Sequence, residues 1–337
     1  MGDLRLSVGD YMASCRTAGL LILKDGEIAL ERYGMGSGPK SRRTGYSMAK
    51  SMTSTLVGAA LHDGAIGSLD DRCDIYLPRL RSSAYEGVTV RNVMRMCSGV
   101  AWSEEGDGRA DAGRLHLALA SRRPGAVLDL ACALPRGQSQ GTLFNYSTVE
   151  SYVLGAVVAA ATGRPLADYC AETIWGPAGM EANGYWALEA DGGQELGGFG
   201  VSACLRDLGR FGLLVLEDGE AFSGRRVLPP GWRDLVGQPD SAPTAFGRLT
   251  PGSRFGYGYH WWALPGPPYA GGLHAGAFLA LGAFGQRIYV NPAERLVAVI
   301  QSAWRRPQDG EAELETVMLL RAVVRALRAD GPAPDFG

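Results

Sequence analysis

Lysine is nearly absent from this 337-residue chain: of 33 lysine and arginine residues, only Lys24, Lys40 and Lys50 are lysines. Any chemistry that needs a side-chain amine has three places to find one. Histidine is scarce too, with four copies. The six cysteines (Cys15, Cys73, Cys97, Cys132, Cys170 and Cys204) stand singly, with no C-x-x-C pair and no histidine at ligand spacing. They read as reduced, buried small hydrophobes, so no metal and no cofactor is expected. No apolar run is long enough to span a bilayer, and Met1 to Asp10 lack the apolar core of a secretory signal. The expected compartment is the cytoplasm. Leu6 stands where an N-myristoylated chain would carry serine or threonine. Charge is not in excess either: 33 basic residues against 35 acidic ones give a net charge of −2. Arg42-Arg43, Arg122-Arg123 and Arg305-Arg306 are isolated pairs that read as solvated surface, so no nucleic-acid or membrane partner is expected. Internal repeats, low-complexity tracts and interdomain linkers are also missing.

What is present is an ordinary globular composition over a length that suits two subdomains around one core. Leu20 to Tyr33 form two apolar runs about Asp25-Gly26, a hairpin signal. From Ser47, the residues Met48, Met52, Leu56, Ala59 and Ala60 recur at helical spacing, and Gly64 is a stop. A helix after a Thr89 cap is expected within 88–96, another around Leu115, Leu117 and Leu119, and an apolar one from Val149 to Ala161 with Ser147 or Thr148 as its cap. The acidic, glycine-rich stretch 101–115 has no period and reads as a loop, either plain surface or the border of a pocket. Cys204 to Leu216 is a further helix. Arg254 to Ala263 reads as one strand, 278–281, 287–290 and 295–301 as three more, and 311–328 as a final amphipathic helix. Strands thus lie at both ends and helices between them. The expected fold is α+β, an α/β sandwich in which 1–62 and 245–337 build an antiparallel sheet and 63–244 is a mainly helical subdomain. A site would lie at the seam.

Ser47-Met-Ala-Lys50 places a serine and a lysine three residues apart at the start of a helix, on one face. An amine there can take the hydroxyl's proton, and the positive end of the helix dipole favours a developing alkoxide. A serine at a helix start also has an ordinary use as a cap, and the hexapeptide alone does not separate the two. Ser37-Gly-Pro-Lys40 has the same spacing, but its proline keeps it out of helical geometry. Tyr146, just ahead of the 149–161 helix, has two readings: packing, or a proton shuttle beside an ammonium group.

The chain resembles the serine β-lactamase and penicillin-binding-protein-like hydrolases, in particular the class C-like branch with family VIII esterases and 6-aminohexanoate-dimer hydrolases. Ser47-Met-Ala-Lys50 is similar to the first motif of that family, an S-x-x-K nucleophile motif, and Phe-Asn-Tyr146-Ser-Thr148 to its tyrosine motif. Met-Cys-Ser-Gly-Val-Ala-Trp102, Ile-Trp-Gly-Pro-Ala-Gly-Met180, Gly-Gly-Phe-Gly-Val-Ser-Ala203 and Gly-Tyr-Gly-Tyr-His-Trp-Trp262 resemble further landmarks in the same order, so the likeness runs from about 18 to 320. It implies a β-lactamase/transpeptidase-like fold and catalytic Ser47, Lys50 and Tyr146. For the third motif two stretches compete, Ala280-Leu-Gly282 and His274-Ala-Gly276; the hairpin after Gly282 favours the first. The oxyanion hole is then formed by Ser47 and Ala283, with Trp102, Thr148, Trp262, His274 and Gly282 about the pocket. Tyr257, Tyr259 and Trp261 share with Trp102 and Trp262 two readings, pocket wall and core.

Two departures matter. Neither version of the third motif carries a lysine, so an efficient β-lactamase or cell-wall peptidase is not expected. Thr148 stands where many relatives have asparagine. The resemblance implies a serine acyl-enzyme hydrolase or acyltransferase acting on an amide or ester of a small molecule. Water as acceptor makes it an amidase or esterase, and an amine or alcohol makes it a transacylase. The rival readings are an α/β-hydrolase, with Gly45-x-Ser47-x-Ala49 as its elbow and His274 in its triad, and a sensor that is acylated without turnover.

Overall fold

In the computed structural model, residues 7–104, 111–237, 256–264 and 272–328 are described. Asp25 and Gly26, at φ of 52° and 85°, make the tight turn that joins β1 (Thr17–Lys24) to β2 (Glu27–Tyr33). Three short strands, β3 (Arg43–Thr44), β4 (Tyr185–Trp186) and β5 (Val201–Ala203), form a small antiparallel sheet in the order β3-β5-β4. The end of the chain adds β6 (Gly256–Gly258), β7 (Trp261–Ala263), β8 (Phe278–Gly282), β9 (Gln286–Asn291) and β10 (Leu296–Ser302). These five join the first hairpin in a seven-stranded sheet of order β2-β1-β10-β9-β8-β7-β6, every pair antiparallel. The two ends of the chain meet where β1 pairs with β10, Leu21 opposite Val299.

Both faces of this sheet are covered, and the strands show it by being apolar at successive positions. Leu21, Leu23, Ile288, Val290, Val297 and Val299 face the helices Met48–His62 and Leu205–Leu216. Leu20, Ile22, Tyr289, Ala298 and Ile300 face the other way, against Leu320, Val323 and Val324 of the Gly310–Arg328 helix. Alternate residues of a strand point to opposite faces, so one strand serves two cores. The Leu205–Leu216 helix lies within the segment expected as a helical insertion, yet it packs on the sheet through Leu208 and Phe211. Helices Thr148–Thr162, Val90–Met94, Asp111–Ala120 and Ala126–Cys132 stand beyond it. Several helices lie outside the sequence expectations: the short Cys73–Tyr76, Leu166–Cys170 and Trp232–Gly237, and two longer ones. Val8–Ser14 is capped by Ser7, and Ala126–Cys132 lies in the proline- and glycine-rich passage. No helix among the described residues is long and apolar enough to cross a membrane, and all six cysteines are free.

The strand expected from 254 to 263 is a hairpin instead; its first two residues lie outside the described ones. Tyr259 and His260 form the turn between β6 and β7, at φ of 52° and 65°. Residues with a side chain resist that conformation, and no glycine signals it. Hydrogen bonds hold it: Ser51 and Ser54 of the Met48–His62 helix donate to the carbonyls of His260 (2.7 Å) and Tyr259 (2.6 Å). The His260 ring is buried between Met94 O, 2.7 Å from Nδ1, and Ser151 Oγ, 2.9 Å from Nε2. A carbonyl only accepts, so Nδ1 carries the hydrogen and Nε2 accepts from Ser151. The imidazole thus ties two helices to the edge hairpin, and the carbonyls of the turn tie the third.

Burial pushes the His260 pKa down to about 3, with Lys50 adding to the effect. The unfolded chain takes up that proton below about 6.5, whereas the folded chain does not until about 3, so His260 removes stability as the pH falls through this window. Between pH 7 and 5 its share is about 2 kcal/mol. Urea titrations of the wild type and His260→Gln at both pH values are expected to differ in slope by that amount, the wild type losing more on acidification; parallel pH dependences would contradict the assignment.

Candidate active site

The small sheet sets the entrance to the helix that begins at Met48. Gly45 N donates to Val201 O at 2.7 Å, directly after the β3–β5 pairing. Tyr46 then turns the chain at φ 47°, a strained value for tyrosine, and Ser47 takes the position before the first helical residue. Ser47 lies at φ −66° and ψ −5°, and its side chain makes no capping hydrogen bond. The capping reading therefore fails on geometry. One turn further, Lys50 is 2% exposed, with Nζ 3.3 Å from Ser47 Oγ.

A buried amine needs partners for all its polar positions. Lys50 Nζ also donates to Gly198 O at 2.9 Å and lies 3.2 Å from Thr148 Oγ1. Thr148 is the first residue of the Thr148–Thr162 helix, whose cap is Ser147, accepting from Glu150 N. Three segments far apart in sequence thus converge on one amine. Tyr146 joins them through its ring: Nζ sits 5.0 Å from the ring centroid, a cation–π distance. The Tyr146 ring lies 5.8 Å from Trp262 and 5.9 Å, edge-on, from Tyr257. Its hydroxyl has no hydrogen-bond partner among the described residues. Of the aromatic residues with two readings, Trp262 and Tyr257 therefore belong beside the site. Trp261 stacks on Phe211 and Tyr259 is buried with it in the core between helices and sheet.

The sheet reaches the Ser47 segment at the end of β8. A Cβ on Gly282 would fall 2.0 Å from the Gly45 carbonyl oxygen, so the two backbones touch and only glycine fits. One residue on each side, the Tyr46 and Phe284 rings meet at 5.2 Å. Ala283 thus lies between two contacts that join its segment to the two residues directly ahead of Ser47. The N–H groups of Ser47 and Ala283 donate to no protein group among the described residues. Phe284, at φ 61°, turns the chain tightly into β9 where the sequence suggests a simple turn.

The sequence does not single out Glu104, although it lies in the 101–115 stretch that reads as a possible pocket border. Its carboxylate accepts from Thr148 Oγ1, from Thr148 N at 3.3 Å and from Trp102 Nε1. Trp102 reaches the site through that bond; its ring is buried. Gly198, the other unforeseen partner, offers only a carbonyl, which no residue type announces. His274 is not brought to Ser47. Its Nδ1 is 2.8 Å from Tyr289 Oη, and burial lowers its pKa, with Arg321 and Arg328 contributing. A triad through His274 has no geometric support, and Ser47 follows a two-residue strand of the small sheet, not a central parallel strand. Ser37 accepts hydrogen bonds from Arg43, and among the described residues it makes none with Lys40.

Comparison with known proteins shows the family and the fold. The Beta-lactamase family profile matches residues 5–322. The chain belongs to this family. The 6-aminohexanoate-dimer hydrolase of Paenarthrobacter ureafaciens is 28% identical over 320 residues, covering 93% of this chain and 79% of that protein. Among solved structures, a putative 6-aminohexanoate-dimer hydrolase from Bacillus anthracis superposes with a TM-score of 0.79 at 24% identity, over 94% of this chain and 80% of the other. EstCE1, described as a hydrolase with promiscuous acyltransferase activity, does so with 0.74 at 17% identity, over 94% and 96%. These structures share the β-lactamase/transpeptidase-like fold, which excludes the α/β-hydrolase alternative.

Within this member of the Beta-lactamase family, Gly282 is a point at which the sheet touches the segment that leads into Ser47. Gly282→Ala is expected to destabilise the protein by ~1–3 kcal/mol, because a backbone oxygen cannot move aside as a flexible side chain can. A urea or thermal melt checks this, and an unchanged midpoint would mean that the two backbones are not in contact.

Proposed function

We propose that this protein is a serine hydrolase that cleaves an amide or ester of a small molecule through an acyl-enzyme on Ser47. The observation that carries the reading is the 3.3 Å approach of buried Lys50 Nζ to a Ser47 hydroxyl that has no capping duty. Ser47 Oγ attacks the substrate carbonyl carbon as its proton passes to Lys50. The oxyanion accepts from the N–H groups of Ser47 and Ala283; a donor of this kind is typically worth ~3–4 kcal/mol. Collapse expels the amine or alcohol, which takes one proton from the Tyr146 phenol, and Lys50 passes the proton it took from Ser47 on to the phenolate. Water then adds to the acyl carbon, its proton returns through the same groups, and Ser47 is released. Tyr146, Trp262 and Tyr257 make one wall aromatic, which suits an apolar portion of the substrate.

The relative from Paenarthrobacter is named for an amide-bonded dimer, which supports the amide as one substrate bond. Transfer to an amine or alcohol in place of water uses the same residues, and the description of EstCE1 supports testing it. In the third motif, Gly282, Ala283 and Phe284 supply no cationic side chain. A β-lactam or peptidyl carboxylate would lack its partner there, so β-lactamase activity is expected to be weak or absent.

Ser47→Ala is expected to abolish covalent labelling by a fluorophosphonate, read by intact mass. Undiminished labelling would refute the assignment. Lys50→Met should slow labelling by ~10²–10⁴-fold with the serine still present. Tyr146→Phe keeps the ring over Lys50 and removes only the phenol. Turnover of a p-nitrophenyl ester is expected to fall by ~10²-fold if the phenol carries the proton, and to stay at the wild-type level if the ring only packs.

A further inference from the structure

The hydrogen bonds around Lys50 assign directions as well as partners. Gly198 O is a carbonyl and only accepts, so it takes one Lys50 N–H. The Thr148 hydroxyl has a single hydrogen, which is given to the Glu104 carboxylate. Thr148 Oγ1 can then meet Lys50 Nζ, 3.2 Å away, only as an acceptor. Two of the amine's hydrogens are committed, and in the neutral amine the lone pair is what remains for the third neighbour, Ser47 Oγ. An asparagine carboxamide at 148 would not impose this, because its two ends are a donor and an acceptor.

We propose that Glu104 is a positioning residue for the base. By holding the Thr148 proton, it compels Thr148 to accept from Lys50 and so aims the Lys50 lone pair at Ser47. This rests on the acyl-enzyme reading above and adds to it the group that orients its base. Glu104 is itself held in place, since Thr148 N and Trp102 Nε1 both donate to its second oxygen. Its side chain is exposed, so no core packing accounts for this arrangement. During attack the Ser47 proton moves to the lone pair, the O–C bond forms, and Thr148 and Glu104 neither gain nor lose a proton.

Without Glu104, the Thr148 hydroxyl is free to turn and donate to the Lys50 lone pair, in competition with Ser47. Glu104→Ala is therefore expected to lower the second-order rate of fluorophosphonate labelling at least about tenfold, the population effect of one competing hydrogen bond. Removing the competitor should restore the rate: Glu104→Ala/Thr148→Val is expected to label at least about threefold faster than Glu104→Ala alone. Glu104→Ala/Thr148→Ser keeps a hydroxyl and should stay as slow as Glu104→Ala. A purely structural role for Glu104 predicts that Glu104→Ala/Thr148→Val is also no faster than Glu104→Ala. That result, or wild-type labelling of Glu104→Ala, overturns the proposal. Circular dichroism melts confirm that each variant is folded before its rate is read. Persistent labelling of Ser47→Ala would instead bring down the acyl-enzyme reading, so the two failures are distinguishable.

Discussion

A lysine that is 2% exposed governs this site. An amine withdrawn from water is costly unless its hydrogen-bonding positions are filled. Its own helix supplies Ser47, the start of a helix a hundred residues later supplies Thr148, and the loop ahead of β5 supplies Gly198 O. The aromatic face of Tyr146 closes the remaining side. Moving any of these segments leaves a buried polar group unpaired. The site and the local fold are in this sense one arrangement.

The rest of the architecture keeps those segments in register. Ser51, Ser54 and Ser151 look misplaced on buried helix faces until their partners are known. Together they bind the β6–β7 turn and the His260 ring. Two non-glycine residues at positive φ are tolerated there because side-chain hydrogen bonds offset the backbone strain. On the other side of Ser47, β8 passes so close to Gly45 that no side chain fits at position 282. The sheet is thereby fastened to the segment before Ser47 from one direction and to the helix after it from another.

Thr148 and Glu104 set the local chemistry beside Lys50. A hydroxyl has one hydrogen to give, and a carboxylate beside it decides where that hydrogen points. Trp102, a candidate pocket wall by sequence, acts here through its indole N–H on that carboxylate. Direction is thus imposed on the amine from the solvent side, by a residue that does not touch it.

The sequence by itself determined what is local. The Asp25-Gly26 hairpin, the helix from Met48, the helix that Ser147 caps and the Ser47–Lys50 spacing follow from turn chemistry, apolar period and the reach of one helical turn. The ordered motifs made Tyr146 and Gly282 legible as well. Only the tertiary structure decided what depends on meetings between distant segments. It showed that Ser47 does not cap its helix, that residues 256–263 fold back at Tyr259-His260, that His274 belongs with Tyr289, and that Glu104 reaches Thr148. The reason is physical: a carbonyl such as Gly198 O, or a carboxylate in an aperiodic loop, carries no sign of its partner until the chain has brought the two within about 3 Å, the length of a hydrogen bond.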